Sequence, residues 1–189
     1  MTATALKMLP EMELDVILEQ KSGLAGATAA AVFDQSRTYR YLLTRIWDPA
    51  RPIAVWVMLN PSTADAMTDD ATIRRCTTFA RDRWGRGGIA VVNLFALRSK
   101  DPSLLRTHPD PVGPHNASFV QHVVRQSDLV VAAWGGPGVM GGRGNAMARA
   151  MRDAGVGLKA FGFTLSKQPL HPLYLPGGAQ LVDYPPDRS

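Results

Sequence analysis

Strand-like and helix-like stretches alternate along the chain, which predicts an α/β fold: a three-layer α/β/α sandwich with a mostly parallel central sheet. Two observations carry this expectation. The middle apolar runs, "IAVWVML", "GIAVVNLF" and "DLVVAAW", are continuous rather than alternating, as strands covered on both faces are. Helical patterns separate these runs from one another and from the next, at about 71–84, 114–127 and 142–154.

Before that block, a helix is expected near residues 10 to 21. "ATAAAVFD" and "TYRYLLTRIW", joined by "DQSR", read as an antiparallel hairpin at the sheet edge. "LKAFGF" and "AQLVDY" complete the set of strands. The 189 residues suit one domain with its own core, the motifs lying within about residues 38–176.

Hydrophobic residues make up 46% and charged residues 20% of the chain, ordinary for a globular protein. No apolar run approaches the roughly 20 residues that span a bilayer. The N-terminal "MTATALKMLPEMELDVILEQ" carries acidic residues where a signal peptide would be apolar. A cytoplasmic protein without a membrane partner is expected, taken as a monomer. The single cysteine, Cys76, allows no disulfide within one chain and reads as a buried structural thiol. A formal net charge of +5, with arginines at 74, 75, 81, 83, 86, 143, 149 and 152, favours a polyanionic partner such as nucleic acid.

In open α/β sheets, ligands bind outside the carboxyl ends of the strands. Four loops fall there. In "LNPSTADAMTDDATIRR", Asp69 or Asp70 can cap the helix that starts near Ala71, and Asn60 at the mouth of a buried strand can orient a water and a substrate edge. In "VVNLFALRSKDPSLL", Asn93 can donate and accept at once, as reading a base edge requires, or can satisfy loop backbone instead. Asp101, Pro102 and Ser103 read as a helix start. In "AWGGPGVMGGRGN", Gly136, Gly138 and Gly141 match the dinucleotide spacing, but no acidic residue ends the next strand to hold a ribose, so a phosphate-binding or flexible turn is expected. In "GFTLSKQPLHPLYLPGG", His171 sits among prolines 169, 172 and 176 as a candidate electrophile or proton donor, its alternative being a packed loop histidine.

Taken together, "MLNPSTADAMTDDATIRRC", "VVNLFALRSKDP", "AAWG" and "HPLYLP" resemble the family called domain of unknown function 1643, over roughly residues 38 to 176. Their order also resembles the uracil-DNA glycosylase superfamily: "LNPS" looks like its water-positioning motif, "NLFALR" like its base-reading strand end, and "HPLY" like its His-Pro motif, in place of the usual His-Pro-Ser-Pro. The resemblance implies a monofunctional DNA glycosylase that hydrolyses the N-glycosidic bond of a damaged or modified pyrimidine, either uracil or a bulky cytosine such as phages install. Asn60, with Asp65, Asp69 or Asp70, would place the water. His171 would stabilise the leaving base, Asn93 would identify it, and Phe95 or Trp134 would stack on it. Ser62, Arg98, Lys100 and Arg143 are expected DNA contacts, and Leu173, Tyr174 or Leu175 an apolar wedge. DNA is the implied partner, with no cofactor and no metal. A non-catalytic nucleic-acid-binding module, a nucleoside or nucleotide N-glycosidase, or an NAD-dependent enzyme remain as other readings.

Overall fold

A computed structural model describes residues 8–10, 15–62, 64 and 68–185. Eight strands form one mixed sheet: β1 (Val16–Ser22), β2 (Thr28–Asp34), β3 (Arg40–Ile46), β4 (Ile53–Met58), β5 (Gly88–Asn93), β6 (Val130–Ala132), β7 (Leu158–Ala160) and β8 (Val182–Asp183). Their spatial order is β1-β2-β3-β5-β4-β6-β7-β8. The helices are α1 (Ala71–Thr78), α2 (Leu104–Thr107), α3 (Asn116–Val124) and α4 (Arg143–Asp153).

The expectation of a mostly parallel sheet is overturned. The pairings β1–β2, β2–β3, β3–β5 and β7–β8 are antiparallel, and only β5–β4, β4–β6 and β6–β7 are parallel. The continuous apolar runs do form the parallel block, but the flanking strands join it in the opposite sense. The helix expected near 10–21 is also corrected: Val16–Ser22 is a strand, paired with β2 from Val16↔Asp34 to Ser22↔Thr28, while residues 11–14 lie outside the described ones. The hairpin of β2 and β3 forms as expected, yet not at the edge, because β1 covers one side and β5 the other.

Alternation along the central strands sends neighbouring side chains to opposite faces. Val55 and Val57 enter a core shared with Phe119 and Val123 of α3 and Met147 and Met151 of α4. Ala54, Trp56 and Met58 enter another, shared with Ile73 and Cys76 of α1. Helix α1 continues as a π-helical turn through Phe79–Arg83, and Trp56, Phe79, Trp84 and Phe161 stack beneath it, Phe79 and Phe161 with centroids 4.6 Å apart. Cys76 is fully buried there and burial pushes its thiol well up, as befits a structural residue. Because α1 and α4 belong to opposite faces, the two arginine-rich segments do not make a single basic face.

This topology creates a crevice. The chain leaves β4 for α1 on one face and leaves β5 for α2 and α3 on the other. Diverging connections from adjacent parallel strands open a cleft at their carboxyl ends.

Candidate active site

A cavity of about 650 Å³ fills that cleft. Met58, Leu59, Asn60 and Ser62 reach it from the end of β4, Asn93 from the end of β5, and Trp134, Gly135 and Gly136 from beyond β6. Asp70 and Ile73 come from the start of α1, and Leu170, His171 and Tyr174 from the last loop. Lys100 and Arg40 complete the polar lining used below.

Asn60 has a defined orientation. Its Nδ2 donates to the carbonyls of Ser99 at 2.9 Å and Pro61 at 3.0 Å, with Leu97 O at 3.5 Å, and so ties the loop after β4 to the loop after β5. Three carbonyls around one atom can only be served by the NH2 group, which identifies the other atom as oxygen. Among the described residues, Oδ1 has no hydrogen-bond partner. Asn60 therefore offers the cavity an acceptor.

Asn93 presents the complement. It is 1% exposed, and its Nδ2 is buried without a hydrogen-bond partner. A buried donor left unpaired is uncommon and costly, and it calls for an explanation such as a ligand that satisfies it. The loop backbone does not need Asn93. Asn116 supplies that role, its Nδ2 donating to Asn93 O at 3.0 Å and Leu94 O at 3.2 Å.

His171 opens a short 3-10 turn at Pro172–Tyr174, and its Nδ1 accepts from the backbone N–H of Leu173 at 3.3 Å. The neutral imidazole must then carry its proton on Nε2. Burial lowers its pKa below the ordinary 6.5, and the carboxylate of Asp70 opposes that only in part. His171 is thus a neutral donor on the cavity wall.

The aspartates of the first loop separate by task. Asp69 accepts from Arg45 of β3 at 2.7 Å and does not line the cavity. Asp70 caps α1, its Oδ1 accepting from Ile73 N at 2.8 Å, and also lines the cavity, where its charge acts on His171. Asp65 lies outside the described residues.

Trp134 is 1% exposed and its Nε1 donates to Gln168 Oε1 at 2.8 Å, while Gln168 Nε2 donates to Asn145 Oδ1 at 3.1 Å. The glycines near this pair are explained by space. A Cβ on Gly138 would lie 2.0 Å from Trp134 Cδ1, and one on Gly144 would lie 2.3 Å from Gln168 Oε1. One glycine of this loop and one in the first turn of α4 thus let the backbone close over a tryptophan.

Residues 40–173 match the family described as "Protein of unknown function (DUF1643)". The chain belongs to this family. No curated protein and no solved structure matches the chain.

In this DUF1643 chain, nine of the sequence-expected residues share one cavity: Asn60, Ser62, Asp70, Asn93, Lys100, Trp134, His171, Tyr174 and Leu175. Phe95 and Arg143 do not join them; both line a second cavity of about 590 Å³ with Leu105, Arg106 and Met140. Arg98 lies over the Phe33 ring at 4.9 Å and donates to Arg37 O, away from the site. Leu173 is exposed and outside the lining. Arg40 joins the site without any signal in the sequence: it sits within strand β3, 3% exposed, and donates to Ala64 O. Gln168 was equally silent, since only its distance to Trp134 shows what it does.

Proposed function

We propose that this chain is a monofunctional DNA glycosylase of the uracil-DNA glycosylase type, with the three-layer α/β/α arrangement of that superfamily. The observation that carries the reading is the complementary hydrogen-bonding state of three residues on one cavity: an acceptor at Asn60 Oδ1, an unpaired donor at Asn93 Nδ2 and a neutral donor at His171 Nε2. Hydrolysis needs that set. Water adds to the sugar C1′ as the bond to the base nitrogen breaks, and negative charge develops on the leaving base. Asn60 Oδ1 accepts a hydrogen bond from the water and holds it below the sugar, Asp70 beside it takes the proton that the water loses as it adds, and the released base anion is protonated from solvent. Asn93 and His171 donate to the carbonyl edge of the departing base, where neutral, preorganised donors act best.

The substrate is a damaged or modified pyrimidine in DNA. A volume of about 650 Å³ falls within the range of about 300–1,000 Å³ that holds whole small molecules. That room exceeds the needs of a bare pyrimidine ring and supports a substituted one. A formal net charge of +5 supports a phosphate backbone as partner. Among the described residues no helix is long and apolar enough to cross a membrane.

The test is release of a free base. The protein is incubated with uracil-containing, hydroxymethylated and glucosylated DNA, and abasic sites are scored by alkali cleavage and released bases by mass spectrometry. Base release that falls by roughly a hundredfold to a thousandfold in His171→Ala, and comparably in Asn60→Ala, supports the reading. Tight, salt-sensitive binding with no abasic sites on any DNA would make the chain a binding module.

A further inference from the structure

Phe95 and Arg143 mark a second cavity that the reaction above does not use. Its volume of about 590 Å³ is again of small-molecule size, and it shares no lining residue with the first. The loops after β5 and β6 wall it: Phe95, Leu105 and Val112 come from one, Val139 and Met140 from the other. Phe95 and Leu105 belong to the core on the face of α3 and α4, and Val112 and Met140 pack against that core, so most of the lining is apolar. Arg143 breaks this surface. It is half-buried, and its Nε donates to Leu94 O at 3.3 Å, which holds the guanidinium in place. Among the described residues its two NH2 groups have no hydrogen-bond or ion-pair partner, and no carboxylate lines the cavity. Burial lowers the Arg143 pKa with nothing to oppose it, yet a guanidinium stays charged. A charge drawn partly out of water without a counter-charge is costly. Arg106, exposed, adds a second positive charge to the same lining.

We propose that this second cavity binds a small amphipathic anion: an apolar, ring-sized body that bears one carboxylate or phosphate. The inference does not depend on the glycosylase reading. Each part of the ligand follows from a part of the lining. An oxyanion accepts from the free NH2 groups of Arg143, whose planar fork matches two oxygens at once, and supplies the missing counter-charge. The apolar body covers Phe95, Leu105, Val112 and Met140, and the unbranched methionine adapts to its outline. A DNA backbone would satisfy only half of this. Its phosphates could meet Arg143 and Arg106, but a chain of sugars and phosphates would leave the apolar lining wet.

The experiment is calorimetric titration of the full chain with 2-naphthoate, 2-naphthyl phosphate and the neutral 2-naphthalenemethanol, which share one apolar body. At least one anion should bind about tenfold more tightly than the alcohol, and the tighter of the two identifies the head group. Arg143→Gln, which keeps a donor for Leu94 O, should remove that advantage. Val139→Asp puts a carboxylate on the cavity wall at a position 49% exposed, where folding is not at risk, and should weaken the anions more than the alcohol. Lys100→Gln takes a cation from the first cavity and should change nothing. The inference fails if the alcohol binds as tightly as both anions, if Arg143→Gln keeps the preference, or if Lys100→Gln abolishes it. It also fails if Arg143→Gln weakens binding of unmodified duplex DNA as much as it weakens the anions, which would make Arg143 a DNA contact. None of these outcomes bears on base release, so the glycosylase reading stands or falls separately.

Discussion

The backbone N–H of Leu173 donates to Nδ1 of His171, and this one contact fixes which ring nitrogen can act. Protonation at Nδ1 would turn acceptor into donor and break the bond, and burial already disfavours the charged ring. The folded-state pKa of His171 therefore lies below the ordinary 6.5. The contribution to stability is full above 6.5, where folded and unfolded states are both neutral. It is lost as pH falls from there through the folded pKa, because the unfolded chain takes up the proton first. The thermal midpoint of wild type should consequently drop below about pH 6.5 relative to that of His171→Asn, which keeps an acceptor for Leu173 N–H but does not titrate. A difference between the two that stays constant across this range would show that burial does not disfavour the charged ring.

Asn93 gives a sharper separation of function from stability. Replacing a satisfied buried amide costs about 1–3 kcal/mol, since its partners are orphaned. Asn93 Nδ2 has no partner to orphan. Asn93→Leu should leave the unfolding free energy within about 0.5 kcal/mol of wild type, or raise it, while base release falls by roughly a hundredfold or more. Urea denaturation and the base-release assay check the two halves. A loss of several kcal/mol would mean that Asn93 is a structural residue.

Much of this site is legible along the chain, and the exceptions have physical causes. Asn60 and Asn93 announce themselves because each ends a continuous apolar run, and such runs become strands whose carboxyl ends face ligands. Arg40 announces nothing, since a strand residue opposite the cavity differs from any other only through the neighbours that the fold supplies. Val16–Ser22 reads as helix from its Leu, Glu and Gln, yet pairing with β2 along seven residues outweighs that local preference. The antiparallel join of β3 to β5, Leu43↔Val91 to Ile46↔Gly88, is likewise invisible, because periodicity reports a buried strand and not its direction.

The glycine-rich loop can be tested by contrast within itself. Gly138 lies against Trp134 and Gln168, so Gly138→Ala forces its new methyl into a ring and a clamped amide, where the nearest atoms stand at 2.0 Å, 2.5 Å and 2.7 Å. Overpacking of this kind costs about 1–3 kcal/mol. Gly136 has nothing within 4 Å of an added Cβ, and Gly136→Ala should stay within about 0.5 kcal/mol of wild type. A loop built for a dinucleotide would instead yield a protein that NAD stabilises against heat, and no such shift is expected.

Asp70 carries two tasks at once, and a single substitution divides them. Its Oδ1 accepts from Ile73 N and so caps α1, which any short acceptor can do; its charge faces His171 across the cavity, which only a carboxylate can supply. Asp70→Ala should lose about 1 kcal/mol through the missing cap. Asp70→Ser should recover that stability, because serine caps nearly as well. If the carboxylate helps to hold or deprotonate the attacking water, base release by Asp70→Ser should nonetheless remain roughly a hundredfold below wild type. Recovery of both stability and base release by serine would reduce Asp70 to a cap and move the acidic role elsewhere in the loop that follows Asn60.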